Sequence, residues 1–290
     1  MKPFNYLMPE SLDDAISMMA SSQGQAWYIA GGTDVMPKIK DHQILPDTLI
    51  SLNKIKDLDR IESDTKSGGL FIGARVTHRT LETSSMIKSD YPIIHDAVSN
   101  IGSLQVRNVA TIGGNIANAA PSADGAVPLL TLDATVETFG PQGRSTMKIA
   151  DFFKGPGQSH LKKSEVITRF IIPKQETLAS GAYIKFSRRS AMEIPMVSVG
   201  VMLAMESDGR TCKTAKIGLG VAAPTPMRAK KAELFLIGQK ISEALLDEAG
   251  EIAANESLVR DSVRGVAWHR REMIRVHVKR MGLKSLERIS

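Results

Sequence analysis

Gln105-Val106-Arg107-Asn108-Val109-Ala110-Thr111-Ile112-Gly113-Gly114-Asn115-Ile116 is the stretch from which the rest of the chain is read. Adjacent glycines let a backbone take torsions closed to other residues and come close to a ligand. Their N–H groups can then face a phosphate with no side chain in the way. A second loop of the same kind, Ala30-Gly31-Gly32-Thr33-Asp34, directly follows a strand-like run at residues 27–30. Thr33, Thr111 and Asn115 add short hydrogen-bonding side chains, so the two loops could clamp the two ends of a pyrophosphate. Neither is a P-loop, because no Gly-Lys-Ser/Thr follows, and neither fits Gly-x-Gly-x-x-Gly. Taken singly, a Gly-Gly pair is more often a plain turn. Spacing alone therefore gives a phosphate-binding site of unspecified ligand.

The flanking sequence sets these loops in a mixed α and β chain. Ser11 is a suitable N-cap for a helix carrying Leu12, Ala15, Ile16 and Met19 at helical spacing. Strands are expected at residues 48–52 and 70–72, and helices from Thr77 and over 93–101. Residues 134–139 and 144–149 form a hairpin about Gly140-Pro141-Gln142-Gly143. Residues 166–172 make a β-branched strand that Pro173 stops. The polar segment 174–180 marks a domain boundary. Strands at 183–187, 196–205 and 215–221 follow, then helices that include one long helix over 263–281. The second half is thus a small antiparallel sheet followed by helices, an α+β layout.

With 290 residues the chain suits two domains. Hydrophobic content of 42% and charged content of 23% fit a soluble globular protein. No apolar run reaches the roughly 18 residues a membrane span needs, and no signal peptide is visible, so a cytoplasmic protein is expected. Cys212 is the one cysteine, too few for a disulfide, a zinc site or an iron–sulfur cluster. The net charge of +6 suits an anionic partner or a phosphate-bearing cofactor. The basic run His269, Arg270, Arg271, Arg275, Lys279 and Arg280 reads as a solvated helix face. No aromatic platform interleaves it, which argues against nucleic acid. None of His42, His78, His95, His160, His269 and His277 lies in a glycine loop or pairs at ligand spacing, so no metal site is expected.

Longer strings narrow the reading. The two glycine loops, Pro121-Ser122-Ala123-Asp124 and Gly220-Val221-Ala222-Ala223-Pro224-Thr225-Pro226-Met227-Arg228 together resemble the FAD-binding medium subunits of the xanthine dehydrogenase and carbon monoxide dehydrogenase family of molybdenum hydroxylases. Ser190-Ala191-Met192-Glu193-Ile194 is most similar to bacterial xanthine dehydrogenases. The resemblance implies a vanillyl-alcohol-oxidase-like FAD-binding fold of two α/β subdomains, about 1–58 and 59–175, and a C-terminal α+β domain over 176–290.

It also implies roles. Trp27-Tyr28-Ile29-Ala30-Gly31-Gly32-Thr33-Asp34 would hold the FAD pyrophosphate from one side, and Thr111, Gly114 and Asn115 from the other, with Asn118 nearby. Asp124 would accept hydrogen bonds from the sugar or polyol; read by itself it could equally cap the helix after it. Val35 and Ile167 would lie on the isoalloxazine faces, and Lys185 at its polar edge. Ile101 takes a position that is aromatic in some relatives and offers the adenine apolar contact only. No residue of this chain need be catalytic, and no covalent flavin–histidine link is expected. The implied function is electron transfer within a heterotrimer. A large molybdopterin-binding subunit would oxidise the organic substrate, and a small [2Fe–2S] subunit would pass electrons to this chain's FAD and on to NAD+ or another acceptor. A stand-alone flavin reductase or oxidase and a non-catalytic nucleotide-binding scaffold are the alternatives.

Overall fold

Three main sheets succeed one another along the chain, in a computed structural model that describes residues 2–289. The first is parallel. Thr48–Ser51 lies at its centre, between Asn5–Leu7 and Ala26–Ile29. All four central residues are buried, as expected of a strand covered on both faces. The helix Leu12–Ser21 makes the first crossover. Ser11 caps it by accepting from the Asp14 N–H at 3.0 Å, and Ala15, Ile16 and Met19 turn inward. The short strand Asn5–Leu7 carries no apolar alternation and was not foreseen from sequence.

The second sheet is antiparallel, in the order Ile61–Ser63, Leu70–Gly73, Val166–Ile172, Thr135–Gly140, Gly143–Lys148. Short helices between His78 and Thr131 cover it, and Ile72, Leu81, Ile93, Ile116, Leu129 and Phe170 form the core beneath them. A bulge between Ile167 and Arg169 breaks the strict alternation of the strand. Val166, Ile167 and Thr168 are consequently all buried.

The third sheet pairs Ala179–Phe186, Val197–Met205, Cys212–Gly220 and Met227–Arg228 in antiparallel order. The helices Lys230–Leu236, Glu243–Glu256 and Ala267–Ile289 close its core. Gly250 and Gly282 are glycines because the last two helices cross there. A Cβ at Gly250 would lie 2.4 Å from the Arg275 carbonyl oxygen, and one at Gly282 would lie 2.6 Å from a Leu246 methyl.

Two expectations are corrected here. The first strand of this sheet begins at Ala179 rather than at 183, inside the polar segment 174–180. The last helix runs Ala267–Ile289 rather than over 263–281. Ser262 and Gly265 close a tight turn before it, and Asp261 Oδ1 accepts from the Ala267 N–H at 2.6 Å, which fixes the start. The basic face is not wholly solvated either. Arg270 is 3% exposed and donates to the Met196 carbonyl, the Gly265 carbonyl and Ser262 Oγ.

The third sheet is fastened to the second half of the preceding region by charge. Arg288 makes two hydrogen bonds to Asp96 at 2.8 and 2.9 Å, and the same carboxylate accepts from the Tyr183 N–H at 3.1 Å. Arg228 reaches the Leu130 carbonyl at 3.0 Å and Asp133 at 2.8 Å while paired with Glu233. Among the described residues no helix is long and apolar enough to cross a membrane.

Candidate cofactor-binding cleft

Between the parallel sheet and the five-stranded sheet runs a cleft of about 950 Å³, at the large end of small-molecule sites. Both glycine loops open into it, and so do Trp27, Tyr28, Val35, Ile101 and Ile167.

The first loop leaves the strand Ala26–Ile29 and enters the short helix Val35–Lys40. Gly32 has a φ of +72°, a torsion only glycine takes freely. Gly31 serves a different need. A Cβ there would lie 2.0 Å from the Val109 carbonyl oxygen, so the two loops touch backbone to backbone. The N–H groups of Gly31, Gly32 and Thr33 donate to no acceptor among the described residues. Such orphan donors are rare where a chain is half-buried and call for a ligand or water.

The second loop is built differently from the sequence expectation. Its N–H groups are already used. Ile112 donates to Val76 and Gly113 to Ala74, and Gly114 donates to Thr111 Oγ1 at 3.0 Å, because Thr111 is the N-cap of the helix Ile112–Ala117. Asn115 Oδ1 accepts from the Gly125 N–H at 3.1 Å. This loop therefore forms a wall rather than a second set of free donors. Gly114 is exposed, and a Cβ there would meet nothing but Thr111 Oγ1, at 3.0 Å. Protein packing does not require glycine at 114, and the space above it opens into the cleft. Asn118 Nδ2 donates to Asp34 Oδ1 at 3.1 Å and its Oδ1 accepts from Lys38 Nζ at 2.8 Å, which ties the two loops together. Burial raises the Asp34 carboxyl despite Lys38 nearby.

Tyr28 is held by its hydroxyl on the Ala15 carbonyl at 3.3 Å, and burial pushes it up to about 12, so it stays neutral. Arg75, His78, Lys162 and Lys163 also line the cleft and were not singled out from sequence. Arg75 is fixed by the Ile55 carbonyl at 3.0 Å and lies 3.6 Å from Asp59. His78 is 1% exposed; its Nδ1 has no partner among the described residues, and burial beside Arg107 lowers it to about 4. No local pattern distinguishes these residues, since only the fold brings them to the two loops.

Three residues singled out from sequence lie outside the cleft lining. Ile29 belongs to the small core with Ile39 and Leu49. Asp124 and Lys185 face each other at 2.8 Å, each side chain under a tenth exposed. Tyr183 Oη donates to the other Asp124 oxygen at 2.6 Å, and Lys185 Nζ also reaches the Asn100 carbonyl at 3.2 Å. Burial pushes the Asp124 carboxyl up, against the pull of Lys185 and Tyr183. Asp124 does not cap the next helix, whose N-cap, Gly125, makes no side-chain cap bond.

Unpaired backbone donors, basic side chains and apolar walls in one cleft suit a phosphate-bearing ligand with an apolar part. Residues 2–175 match the FAD binding domain in molybdopterin dehydrogenase, and residues 182–285 match the CO dehydrogenase flavoprotein C-terminal domain. The chain belongs to the family of FAD-binding medium subunits of molybdenum hydroxylases, and so to the oxidoreductases. It is 30% identical to the glyceraldehyde dehydrogenase medium chain of Sulfolobus acidocaldarius over 94% of this chain and 95% of that one. It is 33% identical to the xanthine dehydrogenase FAD-binding subunit of Escherichia coli, over 94% of this chain and 91% of that one. A chain of reconstituted CO dehydrogenase from Oligotropha carboxidovorans superposes with a TM-score of 0.92 at 30% identity, covering 99% of both.

Proposed function

We propose that this chain carries electrons in a heterotrimer, from [2Fe–2S] centres of a small partner subunit through FAD to NAD+ or another acceptor. A large molybdopterin-binding partner would oxidise the organic substrate. The observation that carries the FAD part is the set of unpaired N–H groups at Gly31, Gly32 and Thr33 beside the open space at Gly114.

The bound flavin would supply the redox chemistry, because it takes electrons singly and releases them as a pair. The chain's own residues bind and shield it. The amides of Gly31, Gly32 and Thr33 would hold the pyrophosphate, with Thr111, Gly114 and Asn115 as the opposite wall. Arg75 and Lys162 would offset its charge. Trp27, Val35 and Ile167 would keep water from the ring, and Ile101 would contact the adenine. We place Asp124 and Lys185 one step back from the cofactor. Their pair fixes the Asn100 carbonyl and hence the backbone leading into Ile101. We divide the chain at about residue 175 into an FAD-binding domain, with subdomains about 1–58 and 59–175, and a C-terminal domain. The separation of the three sheets along the sequence supports this division. A cytoplasmic location belongs to the same proposal.

Anaerobic stopped-flow mixing of the complex with its organic substrate tests the reading. Flavin absorbance is expected to bleach after the iron–sulfur bands, and only when both partner chains are present. Bleaching of the isolated chain's flavin by a substrate would instead make it a stand-alone flavoenzyme.

A further inference from the structure

The stretch from Leu258 to Arg271 holds four arginines against one aspartate, and large apolar side chains that point outward. Val263 is 92% exposed, Trp268 70% and Leu258 68%. Exposed apolar side chains scattered singly are ordinary, but three within eleven residues are a mark of an interaction surface. Arg260, Arg264 and Arg271 among them form no ion pair with any described residue.

This stretch is not loose. Val263 and Arg264 form the tip of the turn closed by Ser262 and Gly265, and buried Arg270 grips that turn from below through Ser262 Oγ, at 2.6 Å, and the Gly265 carbonyl. Trp268 and Arg271 stand three residues apart near the start of the last helix, on one face. A buried arginine thus holds an apolar, basic knob in a fixed shape, which lowers the ordering cost of binding.

The knob is joined to the cofactor cleft by residues 187–196. Arg270 also grips the Met196 carbonyl at the end of that segment, and the Phe186 ring before its start lies 6.0 Å from His269. Midway, the Met192 N–H donates to the Gly102 carbonyl at 3.3 Å, next to Ile101 in the cleft wall. Electron transfer weakens steeply with distance, so a donor must dock beside the flavin's cleft.

We propose that the knob formed by Leu258, Val263 and Trp268 with Arg260, Arg264 and Arg271 is the docking surface for the iron–sulfur partner chain. This rests on the electron-transfer reading above. The partner presents an apolar pocket with an acidic rim, since an apolar centre within unpaired guanidinium groups selects that complement.

The test uses the complex made by co-expressing all three chains, with V263E and W268E together in this chain. Both side chains are exposed, so the variant is expected to keep its FAD and its unfolding midpoint. Sedimentation and iron content are expected to show affinity for the iron–sulfur chain reduced tenfold or more. The triple variant R260E, R264E, R271E is expected to weaken the same association and flatten its salt dependence. Wild-type affinity for the iron–sulfur chain in both variants would overturn the proposal. So would loss of the molybdopterin chain alone, or a self-association of the wild-type chain that the double variant abolishes while iron is retained. A wild-type chain that takes up FAD but never an iron–sulfur partner would overturn the electron-transfer reading itself.

Discussion

Lys185 Nζ sits 2.8 Å from Asp124 Oδ2, and the two residues come from different sheets' territories, 61 positions apart. With Tyr183 on the other oxygen, the carboxylate has no free side toward water. Removing one partner of a buried pair leaves an uncompensated group and costs about 3–5 kcal/mol. Lys185→Met is therefore expected to lose about 3 kcal/mol in urea unfolding while still taking up FAD. Asp124→Asn combined with Lys185→Met should recover part of that loss. A Lys185→Met chain of full stability but shifted flavin potential would instead put the lysine against the ring.

Gly31 and Gly114 are predicted to fail in different ways. Gly31 meets the Val109 carbonyl oxygen, so Gly31→Ala forces the loops apart and should destabilise the chain by about 1–3 kcal/mol. Gly114→Ala meets only the Thr111 hydroxyl and lies within a helix, where alanine is the better helix former. Its unfolding midpoint should stay within a degree or two of wild type. Equal midpoints for the two variants would contradict the packing role assigned to Gly31.

Stability should fall with acid through two histidines. His78 and His277 are buried, and burial lowers each to about 4 from an ordinary value near 6.5. The folded chain therefore binds fewer protons than the unfolded chain between those two values. The contribution of each is fully present above pH 6.5, declines as pH falls, and is gone by about pH 4, amounting to about 3 kcal/mol at most. Unfolding free energy measured from pH 7.5 to 4 should show this slope, and His277→Phe should make it shallower. His277 packs against Phe186 at 5.1 Å with neither ring nitrogen bonded to a described residue, so an apolar ring suits its place.

Part of the cleft's backbone frame was readable from the sequence. One glycine of each pair, Gly31 and Gly113, lies close against backbone, and strand Val166–Ile172 followed from its β-branched run. What each glycine approaches was not readable. Gly31 serves a loop-to-loop contact, and Thr111 consumes the Gly114 N–H as an N-cap, both set by tertiary neighbours. Arg270 looked like one more charge on a basic helix, because nothing local shows that Met196 and Ser262 wait for it. Arg75 and His78 reach the cleft only through the fold of the five-stranded sheet and the helices over it.

The most direct measurement is a titration of FAD into the deflavinated chain, followed by flavin fluorescence, for wild type and Gly114→Leu. Wild type is expected to saturate at one FAD per chain. Gly114→Leu is expected to keep the wild-type circular dichroism spectrum and to lose FAD affinity a hundredfold or more, about 3 kcal/mol. Stoichiometric, wild-type-like FAD binding by Gly114→Leu would contradict the placement of the cofactor between the two glycine loops.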